Sequence, residues 1–239
     1  MRAIDCQIAG NYSIIPGERP EFVEQDNVVR TPSDHMCVIS TFRYDPARVE
    51  QVTDVKLKYM QMLEVNDFAS VSKLKNLNLT PVSQLQFNDG CWDIVDPKGV
   101  TQMLTVRVCT YSIWFNSITA ARLDHVFQII RDTGADFIAL QCVTNLSRDM
   151  LLSMPYIQEN YFCSANNFAP DQGYGMLILT RFHCWFYEKK FTDTSMGRSI
   201  LFAEVKGHDL TFATTHLESF IDQADVRKLQ LQETLDLTK

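Results

Sequence analysis

Seven cysteines are present and none forms a Cys-x-x-Cys pair. That removes the spacing of a zinc ribbon, and the odd, irregular set in a chain of 239 residues argues for reduced thiols rather than a disulfide framework. No stretch approaches the roughly 18 apolar residues of a membrane span. The opening MRAIDCQIAGNYSIIPG lacks the basic start and apolar run of a secretory signal. The expectation is an intracellular, nuclear or cytoplasmic protein with no membrane partner. Basic residues are the minority, 22 Lys and Arg against 29 Asp and Glu for a formal charge of -7. Broad electrostatic capture of a nucleic-acid backbone needs clustered Lys and Arg, so it is excluded, while a locally basic cleft is not. Low-complexity tracts are absent, and with 46% hydrophobic residues the chain can bury a real core.

From residue 104 onward the pattern is strand and helix in alternation. LTVRVCTYSIW alternates apolar residues at Leu104, Val106 and Val108, as a strand leading into a site would. Arg122 to Thr133 places Leu123, Val126, Phe127 and Ile130 at helical spacing, with Gly134 where the helix stops. ADFIALQCV is a short apolar run bounded by turn residues, the signature of a buried central strand. YGMLILT, HCWFYEKKF, SILFAEVKG and DLTFATTHL give four more strands, with a hairpin turn at residues 206–209 and a polar helix from about Asp222 to Leu237. Upstream, HMCVISTFRY is the clearest strand, with a shorter one at Cys6 to Ala9. Residues 46–103 carry a helical stretch around Val52 to Leu63 and then no sustained periodicity, so they read as a partly helical connector.

Hydrolysis of a phosphodiester by a metal needs oxygen ligands for a hard cation, an oriented water and donors for the charge that builds on phosphorus. Three strand ends offer polar groups: Thr110-Tyr111-Ser112, Leu140-Gln141-Cys142, and the segment Thr214 to Ser219. Their order resembles the endonuclease/exonuclease/phosphatase superfamily, and within it the 5′-tyrosyl-DNA phosphodiesterase type, across residues 104–239. The family's opening Thr-Trp/Tyr-Asn corresponds to Thr110-Tyr111-Ser112, and its Leu-Gln-Glu to Leu140-Gln141-Cys142. Its Thr-His-Leu-Glu-Ser is intact at Thr215 to Ser219, preceded by Tyr174-Gly175 and Met196-Gly197-Arg198. No single triplet is specific; the set in this order is.

The resemblance implies an α/β fold, part of a two-sheet β-sandwich flanked by helices. It further implies magnesium as cofactor and 5′ DNA ends or phosphorylated small substrates as partners, in DNA repair. The two family positions that help hold magnesium are occupied by Ser112 and Cys142, and a thiol at the principal carboxylate position removes both charge and hard-ligand character. The family's Gly-Asp-x-Asn element has no counterpart in the sequence. Its closing Ser-Asp-His stands at the other end, as Ser33-Asp34-His35. Residues 1–45 therefore resemble the tail of such a domain and 104–239 its front part.

Carried over, Asp34, His35 and His216 take catalytic positions and Arg198 a phosphate-binding one. A lone histidine after a strand is more often a hydrogen-bonded structural residue, and an arginine beside a strand more often a surface one; both readings stand beside the functional ones. The expected function is that of a degenerate or incomplete phosphodiesterase, inactive as it stands. The alternatives are a non-enzymatic phosphate- or protein-binding module and a weak residual phosphodiesterase.

Overall fold

The computed structural model describes residues 2–9, 37–43, 72, 74–99, 103, 105–114, 120–165 and 173–237. Asp34 and His35 lie outside the described residues, as does the helical stretch expected around Val52 to Leu63.

The helical spacing of Leu123, Val126, Phe127 and Ile130 becomes α1 (Ala120–Thr133), whose apolar stripe is fully buried. Gly134 ends it at φ +56°, a left-handed conformation for which glycine bears no steric cost, and its N–H reaches Arg131 O at 3.1 Å. On either side stand β6 (Thr105–Ser112) and β7 (Phe137–Val143), which pair in parallel as a βαβ crossover demands. β7 is buried along its whole length, and that explains an apolar run broken only by Gln141. In β6, Cys109 and Tyr111 pack under α1 with Ile138 and Leu140, while Val106 turns to the opposite core. Truncating a side chain such as Ile130 would cost about 2–5 kcal/mol.

β7 and β6 sit within an eight-stranded sheet, in the order β1 (Arg2–Ala9), β2 (Cys37–Arg43), β6, β7, β9 (Gly175–Thr180), β8 (Phe162–Ser164), β4 (Gln84–Asn88), β5 (Cys91–Val95). A four-stranded sheet runs β12 (Thr211–Thr215), β11 (Ser199–Val205), β10 (Cys184–Lys190), β3 (Thr80–Val82). Between the two lies a core of Phe137, Ile178, Phe186, Leu201 and Ala203. The class expected from sequence, an α/β two-sheet sandwich with helices, is the class found. Two short helices, α2 (Asn145–Leu152) and α3 (Pro155–Asn160), connect β7 to β8, and α4 (Ala224–Leu237) closes the described chain. Among the described residues no helix is long and apolar enough to cross a membrane.

Two outcomes bear on the site. β2 runs antiparallel to β6, with Val38 opposite Thr110 and Arg43 opposite Thr105, so an N-terminal strand joins the large sheet beside the strand that carries Ser112. The stretch read as a connector holds three strands, β3 to β5, in its second half. The apolar alternation there was hidden by Gln84. This amide is buried because it is fully bonded: its oxygen accepts from Cys184 N at 2.9 Å and its nitrogen meets His183 Nδ1 at 3.0 Å. Asp89 (φ +48°) and Gly90 (φ +89°) form the turn between β4 and β5, an Asp-Gly hairpin signal that the sequence did contain.

The sheets are unequal. β12 lies against β7 and β9, and β11 against β9. Beyond β12 the small sheet has no further strand among the described residues.

Candidate functional site

Parallel pairing brings the C-terminal ends of β6 and β7 to the same end of the sheet, with Ser112 in register with Gln141. Arg122, itself buried, fixes the exit of β6 by donating from Nη1 to Ile113 O at 2.9 Å and from Nη2 to Trp114 O. The end of β7 is shaped by an irregularity: its register with β9 shifts between Leu140 and Val143, and Cys142 takes φ +61°. Such bulges re-aim side chains at sheet ends. Here the result is a Cys142 thiol 3.4 Å from Ser112 Oγ and 3.8 Å from His216 Nδ1, the latter arriving from the end of β12.

Gln141 ties the two sheets together at this point. Its buried Nε2 donates to Thr214 Oγ1 of β12 at 2.9 Å and to Thr110 Oγ1 of β6 at 3.1 Å. Beside it a cavity of about 440 Å³ opens between the sheets, lined by Ser40, Thr110, Ser112, Gln141, Thr214 and His216 among others. In the sequence Gln141 is a letter of the Leu-Gln-Cys triplet, and a glutamine inside an otherwise apolar strand is the signal of its role.

Arg198 stands behind His216. It is 6% exposed and is delivered by the loop before β11, where Gly197 takes φ +66°. Nη1 donates to His216 Nδ1 at 3.1 Å, Nη2 to Ser219 Oγ at 3.0 Å, and the guanidinium lies 5.4 Å over the ring of Tyr174. Nε is buried with no hydrogen-bond partner, and no carboxylate pairs with the group among the described residues. Because a guanidinium can only donate, Nδ1 of His216 accepts and the ring proton resides on Nε2. The structure brings Ser112, Cys142, His216 and Arg198 into one cluster; Asp34 and His35 lie outside the described residues.

Glu218 of the Thr-His-Leu-Glu-Ser segment does something else. It is 2% exposed and accepts from the backbone N–H groups of Ser195 and Met196 at 2.9 Å each, from Thr194 Oγ1 at 3.0 Å and from Ser195 Oγ. Burial pushes its carboxyl up, but the bonds from Ser195, Thr194 and Gln230 outweigh this and hold it below the usual range. Glu218 therefore fastens the loop that delivers Arg198 to the segment that delivers His216. Just past it, Phe220 adopts φ +69°, ψ 150°, a region nearly restricted to glycine, and its carbonyl and that of Glu218 are held by Arg227 Nη1.

Magnesium does not fit these residues. It requires near-octahedral oxygens, commonly from one or two carboxylates, whereas this cluster offers a hydroxyl, a thiol and an imidazole whose Nδ1 already accepts from a cation. Among the described residues no group of three or more His, Cys, Asp or Glu side chains is arranged to hold a metal ion.

No family model matches the chain, and no curated protein sequence matches it. Solved structures do. TDP2 from Caenorhabditis elegans is 21% identical over 53% of this chain and 40% of that one, with a TM-score of 0.42. TDP2 from D. rerio, complexed with a single-strand DNA product, is 21% identical over 54% of this chain and 52% of that one, at 0.48. A truncated Caenorhabditis elegans TDP2 gives 22%, 53%, 53% and 0.43. The chain spans about half, or less, of the length of these structures.

Proposed function

We propose that this chain is a metal-free derivative of the phosphodiesterase fold that binds a phosphate group without hydrolysing it. The observation that carries the reading is Arg198: a guanidinium 6% exposed, with one nitrogen unpartnered and no carboxylate oxygen within 4.0 Å among the described residues. A buried charge without a counter-charge is costly, and an anion held nearby offsets that cost. Arg198 acts through His216, whose tautomer it fixes and toward whose cavity it directs a positive field. Hydroxyls of Thr110 and Thr214, which accept from Gln141 Nε2 at this cavity, are donors suited to phosphate oxygens.

Hydrolysis lacks its metal on this reading, because Ser112 and Cys142 replace the amide and carboxylate that the motif resemblance calls for. The ligand class suggested by that resemblance is a phosphorylated 5′ DNA end. Asp34 and His35 belong to the same proposal: they precede Cys37 by three and two positions, and the neighbouring Val38 pairs with Thr110 at the site end of β6. So does the division of the chain into a tail-like segment at 1–45 and a front-like segment at 104–239, which the pairing of β2 with β6 supports.

The test is a titration of a short 5′-phosphorylated oligonucleotide and of inorganic phosphate, with a phosphodiester reporter assayed in parallel in magnesium. Saturable binding without turnover is expected. Turnover that His216→Ala abolishes would establish a residual hydrolase instead, and an absence of binding to either probe would reduce the site to a structural relic.

A further inference from the structure

Outside the cavity, the chain passes from one sheet to the other over a single residue: β3 ends in the small sheet at Val82, and β4 begins in the large one at Gln84. The ladders that hold this crossing are short. β3 meets β10 from Thr80 to Val82, and β4 meets β8 at Gln84 and Leu85. Gln84, 3% exposed, is bonded to two consecutive residues at the entry to β10. Its Oε1 accepts from Cys184 N at 2.9 Å, which fixes the orientation of the amide and leaves Nε2 to donate to His183 Nδ1 at 3.0 Å. His183 is therefore a neutral imidazole with its proton on Nε2. A proton added at Nδ1 sets two donors face to face, and turning the amide over only moves the same conflict to Cys184 N.

We propose that Gln84 and His183 form a pH-sensitive latch between the two sheets, closed while the imidazole is neutral and opened when it takes up a second proton. The latch stands apart from the phosphate-binding reading, since neither residue lines the cavity. The charged groups that act on His183 are Lys206, from the turn between β11 and β12, and Lys98, from the segment after β5, both cations. Lys206 is held in place: its backbone N–H donates to His183 O at 2.9 Å and its Nζ to Pro97 O at 2.9 Å. On the other sides β4 presents the neutral Gln84 and β8 the Phe162 ring, 4.2 Å between centroids, whose face favours an imidazolium. Burial first, and then the two lysines, outweigh that ring and hold the imidazole below its ordinary value of 6.5. Because the folded value is the lower one, the contribution of the latch is complete above 6.5 and is lost as pH falls through the folded value. What opens is the crossing itself: the Gln84 amide leaves Cys184 and His183, and the short β3–β10 ladder loses its support.

The experiment follows the His183 ring by nitrogen-detected NMR and the amides of Cys184, β3 and β10 by hydrogen exchange, from about pH 7.5 to about pH 5, in wild type, Gln84→Glu and His183→Phe. Exchange is expressed as protection, so that its intrinsic pH dependence drops out, and each variant is first shown to be folded by its thermal transition. In wild type, His183 is expected to carry its proton on Nε2 at the upper pH and to titrate below 6.5. Protection at Cys184 falls with that titration by about fivefold, the worth of one hydrogen bond. Gln84→Glu reverses the sign: a carboxylate accepts from Cys184 N and from the imidazolium together, so His183 titrates above 6.5 and Cys184 stays protected in acid. His183→Phe shows the lower protection at every pH. The latch is overturned by a wild-type His183 that titrates at or above 6.5, by Cys184 protection that does not change across the titration, by a Gln84→Glu variant that titrates as wild type does, or by His183→Phe still losing protection in acid. Should Gln84→Glu fail to fold, wild type against His183→Phe decides, and the phosphate-binding reading is untouched by either result.

Discussion

Arg198 Nη1 donates to His216 Nδ1 across 3.1 Å, with the cation nearly sealed from solvent. This single contact assigns the imidazole its proton, and no carboxylate among the described residues comes within ion-pair distance of the guanidinium. A residue retained for binding rather than for folding has a recognisable signature. A buried cation with no ion-pair partner costs folding free energy that an apolar side chain of similar volume does not. Arg198→Met is therefore expected to melt at or above the wild-type temperature while losing phosphate binding, and nitrogen-detected spectra should show the imidazole leaving its single Nε2-protonated form. A variant that unfolds would make Arg198 a purely structural residue.

Glu218 gives a pH dependence with a definite sign. Its folded carboxyl lies below its ordinary value of 4.5, so its contribution is complete above that value and disappears as pH falls through the folded one. Glu218→Gln puts an amide where donors from Ser195, Met196 and Thr194 converge, at a cost of roughly 1–3 kcal/mol. In urea unfolding, the gap between wild type and Glu218→Gln should be constant from pH 7 to about 5 and close below about 4.5. A gap that widens in acid would contradict the assignment.

How much of this was legible beforehand depends on the residue. The β6, α1, β7 unit announced itself through periodicity, since Leu123, Val126, Phe127 and Ile130 can share a face only on a helix, and Gly134 supplied its stop. The cluster of Ser112, Cys142 and His216 was legible through motif order, because the ends of successive strands in one sheet meet. Strands β3 to β5 were not, since the inward-facing residue of β4 is a glutamine whose bonding to Cys184 and His183 lies about a hundred positions away. The reach of Arg198 to His216 was equally hidden: it requires a loop shaped by Gly197 and pinned by Glu218, and neither leaves a local pattern.

Restoring the family's ligand types should not restore the metal. Cys142→Glu with Ser112→Asn adds one carboxylate to a cluster in which His216 Nδ1 still faces Arg198, and magnesium needs more hard oxygens than that provides. The double variant is expected to show no magnesium-dependent turnover of a phosphodiester reporter and no calorimetric heat with magnesium. Turnover would mean that other oxygens complete the shell.

Gln141 makes a separable claim. Replacing it by leucine leaves the hydroxyls of Thr110 and Thr214 without the amide that joins them across the sheets, so Gln141→Leu should lose about 1–3 kcal/mol. Hydrogen exchange at β12, which has a strand partner on one side only among the described residues, should accelerate more than at β9, which is paired on both sides by β7 and β8. Equal acceleration in both would mean the amide does not hold the sheets together.

The unequal widths of the two sheets have a consequence for handling the protein. Thr211 to Thr215 turn a row of main-chain groups outward on one side, and the sequence TFATT has neither the lysine nor the proline with which edge strands ordinarily discourage company. Among the described residues that ribbon has no strand on its outer side, so self-association at high concentration is expected to start there, and Thr211→Lys is expected to reduce it in light scattering.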